Sequence, residues 1–188
     1  MQADSYWPQI EPSISGYETL PAVCLDYDPR APRVAAHIAA IINLHLPNVI
    51  VEHFGSTSVP GCAGKGVIDL MLLYGDGRIE EAKSLVAALG FQSQGSRDPF
   101  PESRPMRIGA IEFEGSMFRL HVHVIAMDSP EAVEMGMFRD ALRADPQMVD
   151  DYVARKRRII ASGVTDSVDY SVQKGSFIRR TPRGCCVE

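Results

Sequence analysis

The 188 residues are enough for one well-cored domain, and 45% hydrophobic with 23% charged residues is an ordinary soluble composition. A net charge of −5 argues against a general nucleic-acid coat, which needs an excess of Lys and Arg, but leaves room for a single nucleotide on a local basic patch. No run approaches the ~20 apolar residues of a membrane span, and the opening MQADSYWPQIEP lacks the basic-then-apolar order of a signal peptide.

Residues 1–24, with Pro8, Pro12, Gly16 and Pro21, read as an extended arm that is ordered only if it docks. Val34, Ile38, Ile41, Ile42 and Leu46 recur at helical spacing and predict an amphipathic helix over about 31–46. VIVEHF (49–54) is β-branched and short, hence a strand, and GVIDLMLLY (66–74) is a second, mostly apolar strand. After the turn Gly75-Asp76-Gly77, a helix runs through Ile79, Ala82, Leu85 and Leu89 to a stop at Gly90. Residues 92–105 read as a surface loop suited to lie over a site.

RIGAIEFEGSMFRLHVHVIA (107–126) predicts a hairpin turning at Gly115-Ser116, which sets Glu112 opposite Arg119 and Glu114 opposite Met117. Alternation places Ile111, Phe113, Phe118, Leu120, Val122 and Val124 on one face. Glu112, Glu114, Arg119, His121 and His123 share the other. Ser129-Pro130 and Asp145-Pro146 are two capped helix starts, and a last helix covers about 166–179. The expected organisation is a single domain: the arm, a core over 25–128, C-terminal helices over 129–180 and a tail over 181–188. Cys24, Cys62, Cys185 and Cys186 lack paired metal-site spacing and read as free thiols in a reducing, cytoplasmic setting.

HFGSTSVPGCAGKGVIDLML, followed by RLHVHVI, SPEAVEMGMFRDALRADPQMVDDYVARKRRI and YSVQKGSFI, resembles the GrpB family from about Val23 to Ile178. The resemblance implies a nucleotidyltransferase-like α/β (α+β) fold, a mixed β-sheet flanked by helices, akin to the DNA polymerase β superfamily. The expected function is an enzyme of nucleotidyl-transfer type acting on a nucleotide or another phosphorylated small molecule with a divalent metal, Mg²⁺ or Mn²⁺ and alternatively Zn²⁺; the alternative is a binding module that keeps the pocket without turnover.

Within that frame Gly55 lets the backbone approach a phosphate, and the Ser56, Thr57 and Ser58 hydroxyls can donate to its oxygens. Lys65 places a compact positive charge beside it, and Lys174 is a further phosphate contact. The alternative is that Ser-Thr-Ser caps a short helix and Pro60-Gly61 is a turn. Asp69 interrupts an apolar strand and must find a cation or donors. It is the candidate catalytic residue and metal ligand, with pairing to Arg119 as the alternative. A nucleotidyltransferase usually carries a second acid two residues on, and Met71 stands there. His121 and His123 face one way on their strand and can join Asp69 at Zn²⁺, Mn²⁺ or Fe²⁺. Their alternative partners are Glu112 and Glu114. His53 reads as a packing residue with a polar tip, and Arg155, Lys156, Arg157 and Arg158 as a solvated helix surface.

Overall fold

Apolar spacing along the chain becomes five helices and five strands in a computed structural model that describes residues 10–11 and 13–178. Helix α1 (Ala31–His45) buries Ala31, Val34, Ala35, Ile38 and Ile42, a stripe at three- and four-residue intervals. Strand β1 (Ile50–Phe54) ends at Gly55, and one 3₁₀ turn (Ser56–Ser58) leads through the Pro-Gly loop to β2 (Val67–Tyr74). Helix α2 (Ile79–Ala88) gives way at Gly90, whose φ of 103° suits glycine. A two-residue strand β3 (Gln92–Ser93), absent from the sequence expectation, precedes β4 (Met106–Phe113) and β5 (Ser116–Ala126).

Helices α3 (Pro130–Ala144), α4 (Pro146–Ala161) and α5 (Ser167–Ile178) complete the order. The expected caps are in place: Ser129 accepts from the Glu131 amide, and Asp145 from those of Gln147 and Met148. The predicted tail, with Cys185 and Cys186, and residues 1–9 of the arm lie outside the described residues.

The sheet is mixed, in the order β1-β2-β5-β4-β3, with β2 and β5 parallel and the other pairs antiparallel. One face carries Ile68, Leu70 and Leu72 of β2 with Leu120, Val122 and Val124 of β5, packed beneath α1 and α2. The opposite face carries Met71, Leu73 and Ile125 against Ala132 and Met135 of α3. Helix α4 sets Val149, Tyr152 and Val153 against Val59, Cys62 and Ala63 of the loop after Ser58.

The arm does dock. Ser15 exchanges backbone hydrogen bonds with Ala110 at 2.9 and 3.1 Å, occupying the outer edge of β4 beyond the short β3. Ile14 enters the core on one side of that edge, and Tyr17 reaches the other face of the sheet.

The hairpin register differs from the expected one. The turn residues are Glu114 and Gly115, with φ of 50° and 72°, so Phe113 pairs with Ser116, Glu112 with Met117 and Ala110 with Arg119. Two positive-φ residues in succession match the twist of a tight hairpin, and Gly115 fits the second position. The division of faces survives the shift, because Ile111, Phe113, Phe118, Leu120, Val122 and Val124 all belong to the main core.

Candidate functional site

Parallel pairing of β2 with β5 sets Asp69 beside His121 and Met71 beside His123. Side chains at registered positions point to one face, so the acid and both imidazoles meet there. Asp69 Oδ1 lies 3.2 Å from His121 Nδ1. One ligand atom from each of Asp69, His121 and His123 falls within 4.8 Å of the other two.

The Gly-Ser bend closes on the same point. Gly55, at φ 71°, sits so near the carboxylate that a Cβ there would be 2.5 Å from Asp69 Oδ2. No residue with a side chain fits without displacing the acid. The bend, the strand acid and the paired rings therefore share one side of the sheet, as the sequence suggested.

Several expected partnerships are corrected. Arg119 donates to the Lys65 carbonyl, and it is His121 that pairs with Asp69. The second nitrogen of His121 lies 3.2 Å from the Tyr17 hydroxyl, and Glu114 is held by Arg33. The Thr57 hydroxyl donates to the Val67 carbonyl and that of Ser58 to the Gly55 carbonyl. Both side chains knit the loop together, and both residues are buried. His53 meets Thr57 Oγ1 at 3.0 Å, the polar tip expected of it.

The electrostatics follow from burial. Burial pushes the Asp69 carboxyl up, but the His121 hydrogen bond and the surrounding basic groups outweigh it and hold the group at about 2. Burial between Phe54 and Phe100, with their rings each 5.2 Å away, takes His123 down to about 4. At neutral pH the site thus holds an ionised carboxylate beside a neutral imidazole, a donor set suited to a divalent cation.

Two lysines lie close enough to this centre to feel the Asp69 charge. Lys65 and Lys174 lie 5.6 and 5.7 Å from the Tyr170 ring. Burial, then Lys174, lowers Lys65 to about 8, and burial likewise lowers Lys174 although Asp69 opposes it. The largest correction is Lys156. It is 1% exposed and faces inward from α4, away from the solvated surface expected of its neighbours. Its Nζ donates to Ser56 Oγ at 3.0 Å, to Cys62 Sγ at 3.3 Å and to the Ala63 carbonyl. Partly desolvated positive charge in excess of one carboxylate favours an anionic ligand.

Sequence reasoning also passed over Tyr17, Phe100, Arg139 and Arg143. Arg139 donates to the His53 carbonyl, and Arg143 donates twice to the Ser58 carbonyl at 3.0 and 2.9 Å, so α3 grips both ends of the Gly-Ser bend. The Phe-Arg-Asp-Ala-Leu-Arg run at 138–143 held that signal. Phe100 is delivered by the 92–105 loop, which Arg104 ties to Glu131 of α3.

Solved structures place the architecture. The chain is similar to the conserved protein GrpB from Enterococcus faecalis, with a TM-score of 0.61, 23% identity, and coverage of 84% of this chain and 98% of that one. It is also similar in fold to Cid1 in complex with its short product ApU, with a TM-score of 0.50 and 13% identity over 72% of this chain and 42% of that one. The fold class is thus nucleotidyltransferase-like α+β. The profile described as GrpB protein matches residues 21–183, and the chain belongs to the GrpB family. Among its relatives, a UPF0157 protein of Streptomyces coelicolor is 34% identical over 168 residues, covering 88% of this chain and 84% of that protein. Another UPF0157 protein, from Halalkalibacterium halodurans, is 32% identical over 157 residues, covering 82% and 77% respectively. Among the described residues no helix is long and apolar enough to cross a membrane.

Proposed function

We propose that this protein binds a nucleotide or another phosphorylated small molecule at the Gly55–Asp69 centre together with a divalent cation, and that it transfers a nucleotidyl group. One observation carries the reading: Asp69, His121 and His123 bring their ligand atoms within 4.8 Å of one another directly beside the glycine of the Gly-Ser bend. Two imidazoles and one carboxylate suit Zn²⁺ or Mn²⁺ better than Mg²⁺. A bound cation supplies charge neutralisation at the phosphate.

The chain's own residues do the rest. Gly55 admits phosphate oxygens close to the backbone, and Ser56 donates to them because its oxygen already accepts from Lys156. Lys65 and Lys174 balance the phosphate charge, and Phe100 and Phe54 keep water from the His123 side. Thr57 and Ser58 shape the loop through the carbonyls they hold. Support for a nucleotide comes from the fold shared with Cid1, which is described with its product ApU.

Met71 favours a second reading, a binding module without turnover. It occupies the place of a second acid and is buried among Leu73, Ile125 and Ala132. Thermal shift with ATP, GTP, CTP and UTP, each with Mg²⁺ or Mn²⁺, followed by pyrophosphate release, separates the two. Binding that vanishes in Ser56→Ala and Asp69→Ala, with pyrophosphate released, supports transfer. The same binding without product from any acceptor supports the module. No stabilisation at millimolar nucleotide defeats both.

A further inference from the structure

The Lys156–Cys62 contact has chemistry of its own. Lys156 is almost fully enclosed, and among the described residues no carboxylate lies within ion-pair distance of its nitrogen. Beside Ser56, the Ala63 carbonyl and the Tyr152 ring, its nitrogen meets the Cys62 sulfur, 3.3 Å away. The sulfur and the nitrogen are thus held side by side, and it is the thiolate form of a cysteine that reacts with oxidants. Cys62 also lines a cavity of about 190 Å³ with Leu25, Tyr27, Gly64, Ile68 and Phe118, roomy enough for a small oxidant.

We infer that Cys62 and Lys156 form an oxidation-sensitive modification site, at which a peroxide joins the two side chains through a reversible sulfur–nitrogen bond. The thiolate attacks one peroxide oxygen, the O–O bond breaks, and Cys62 becomes a sulfenic acid with release of hydroxide. The hydroxide takes a proton from the Lys156 ammonium. Burial favours the neutral amine there, and it attacks the sulfur and expels hydroxide, which leaves as water. Overall, thiolate, ammonium and hydrogen peroxide give a sulfenamide and two waters. Sulfur is oxidised and peroxide reduced by two electrons. Two equivalents of thiol reverse the step, giving free cysteine, free lysine and a disulfide of the thiol.

The bond has a geometric consequence. As an ammonium, Lys156 has three hydrogens for Ser56, Cys62 and the Ala63 carbonyl. A sulfenamide nitrogen keeps one, drawn against the sulfur, so Ser56 and Ala63 no longer both have a donor. If Ser56 holds phosphate as proposed above, oxidation weakens ligand binding, and this extension rests on that reading.

The test uses the full chain with Cys24, Cys185 and Cys186 changed to Ser, which removes competing disulfides. After hydrogen peroxide treatment the intact mass is expected to fall by about 2 Da, the loss of two hydrogens. Peptide mapping is expected to join the segments carrying Cys62 and Lys156, with loss of tryptic cleavage after Lys156 and full reversal by dithiothreitol. The Lys156→Gln variant is expected to stop at a dimedone-reactive sulfenic acid. A sulfenic or sulfinic acid at Cys62 with Lys156 still cleavable, or no change in mass, overturns the inference. So does a Cys24–Cys62 disulfide as the sole product in the unaltered chain. Thermal shift with ATP and Mn²⁺ before and after peroxide is read separately. A cross-link without any nucleotide effect leaves the modification standing and removes its link to the proposed ligand.

Discussion

The two faces of the β2–β5 pair are built from the same two strands and do opposite things. On one face Leu70, Leu72, Val122 and Val124 are buried to within 1% of complete enclosure and belong to the main apolar core. One residue along, Asp69, His121 and His123 assemble a polar centre on the other face. A period of two is enough to keep a core and a polar centre a single peptide apart. The difference also teaches why the site needs so many supports: an apolar face is held by packing alone, whereas a half-buried acid needs donors, a glycine without a side chain, and basic neighbours.

That contrast can be broken from the apolar side first. Leu72→Ala leaves a hole in a fully enclosed position and is expected to destabilise the fold by about 2–5 kcal/mol, read from the urea midpoint. A loss below about 1 kcal/mol contradicts a tightly packed α1–sheet layer.

Acid tests the polar face next. His53 and His123 titrate near 4 in the fold against 6.5 ordinarily, both through burial first. As pH falls below 6.5 the unfolded chain takes up protons that the native chain refuses until about 4. Stability is therefore present in full above 6.5, declines between 6.5 and 4, and no longer changes on their account below 4. Urea titrations in EDTA at stepped pH measure this, and imidazole resonances titrating near 6.5 contradict it.

Gly55→Ala is a smaller perturbation of the fold with a local target. A side chain at φ 71° against Asp69 is expected to cost about 1–3 kcal/mol and to move the carboxylate. Asp69→Asn sharpens the comparison, because it keeps the shape of the side chain while removing its charge, and it is expected to weaken Mn²⁺ or Zn²⁺ binding by at least about tenfold in calorimetry. Equal affinity in the two proteins rules out cation binding through Asp69.

Much of this was legible in the letters, for physical reasons that can be stated. Strict alternation in RLHVHVI fixed which side chains share a face, since no other backbone arrangement lets His121 and His123 sit together while Leu120 and Val122 are buried. The hairpin register was not legible, because it turns on Glu114 accepting a positive φ, which the residue type does not advertise. Lys156 was hidden in a run of like charges. Its spacing from Val149, Tyr152 and Val153 places it on the apolar stripe of α4, and that spacing was the available signal. Tyr17 and the two-residue β3 owe their order to contacts made far away in the chain, which local pattern does not contain.

The docking of the arm along β4 has a consequence for how the molecule comes into being. Tyr17 leaves the ribosome early, yet the ring it meets, His121, belongs to β5, which is synthesised a hundred residues later. Asp69 waits as well, since its parallel neighbour is that same late strand. The nascent protein thus carries its acid and its tyrosine as separate, idle pieces, and the centre snaps into existence only when one strand threads between them.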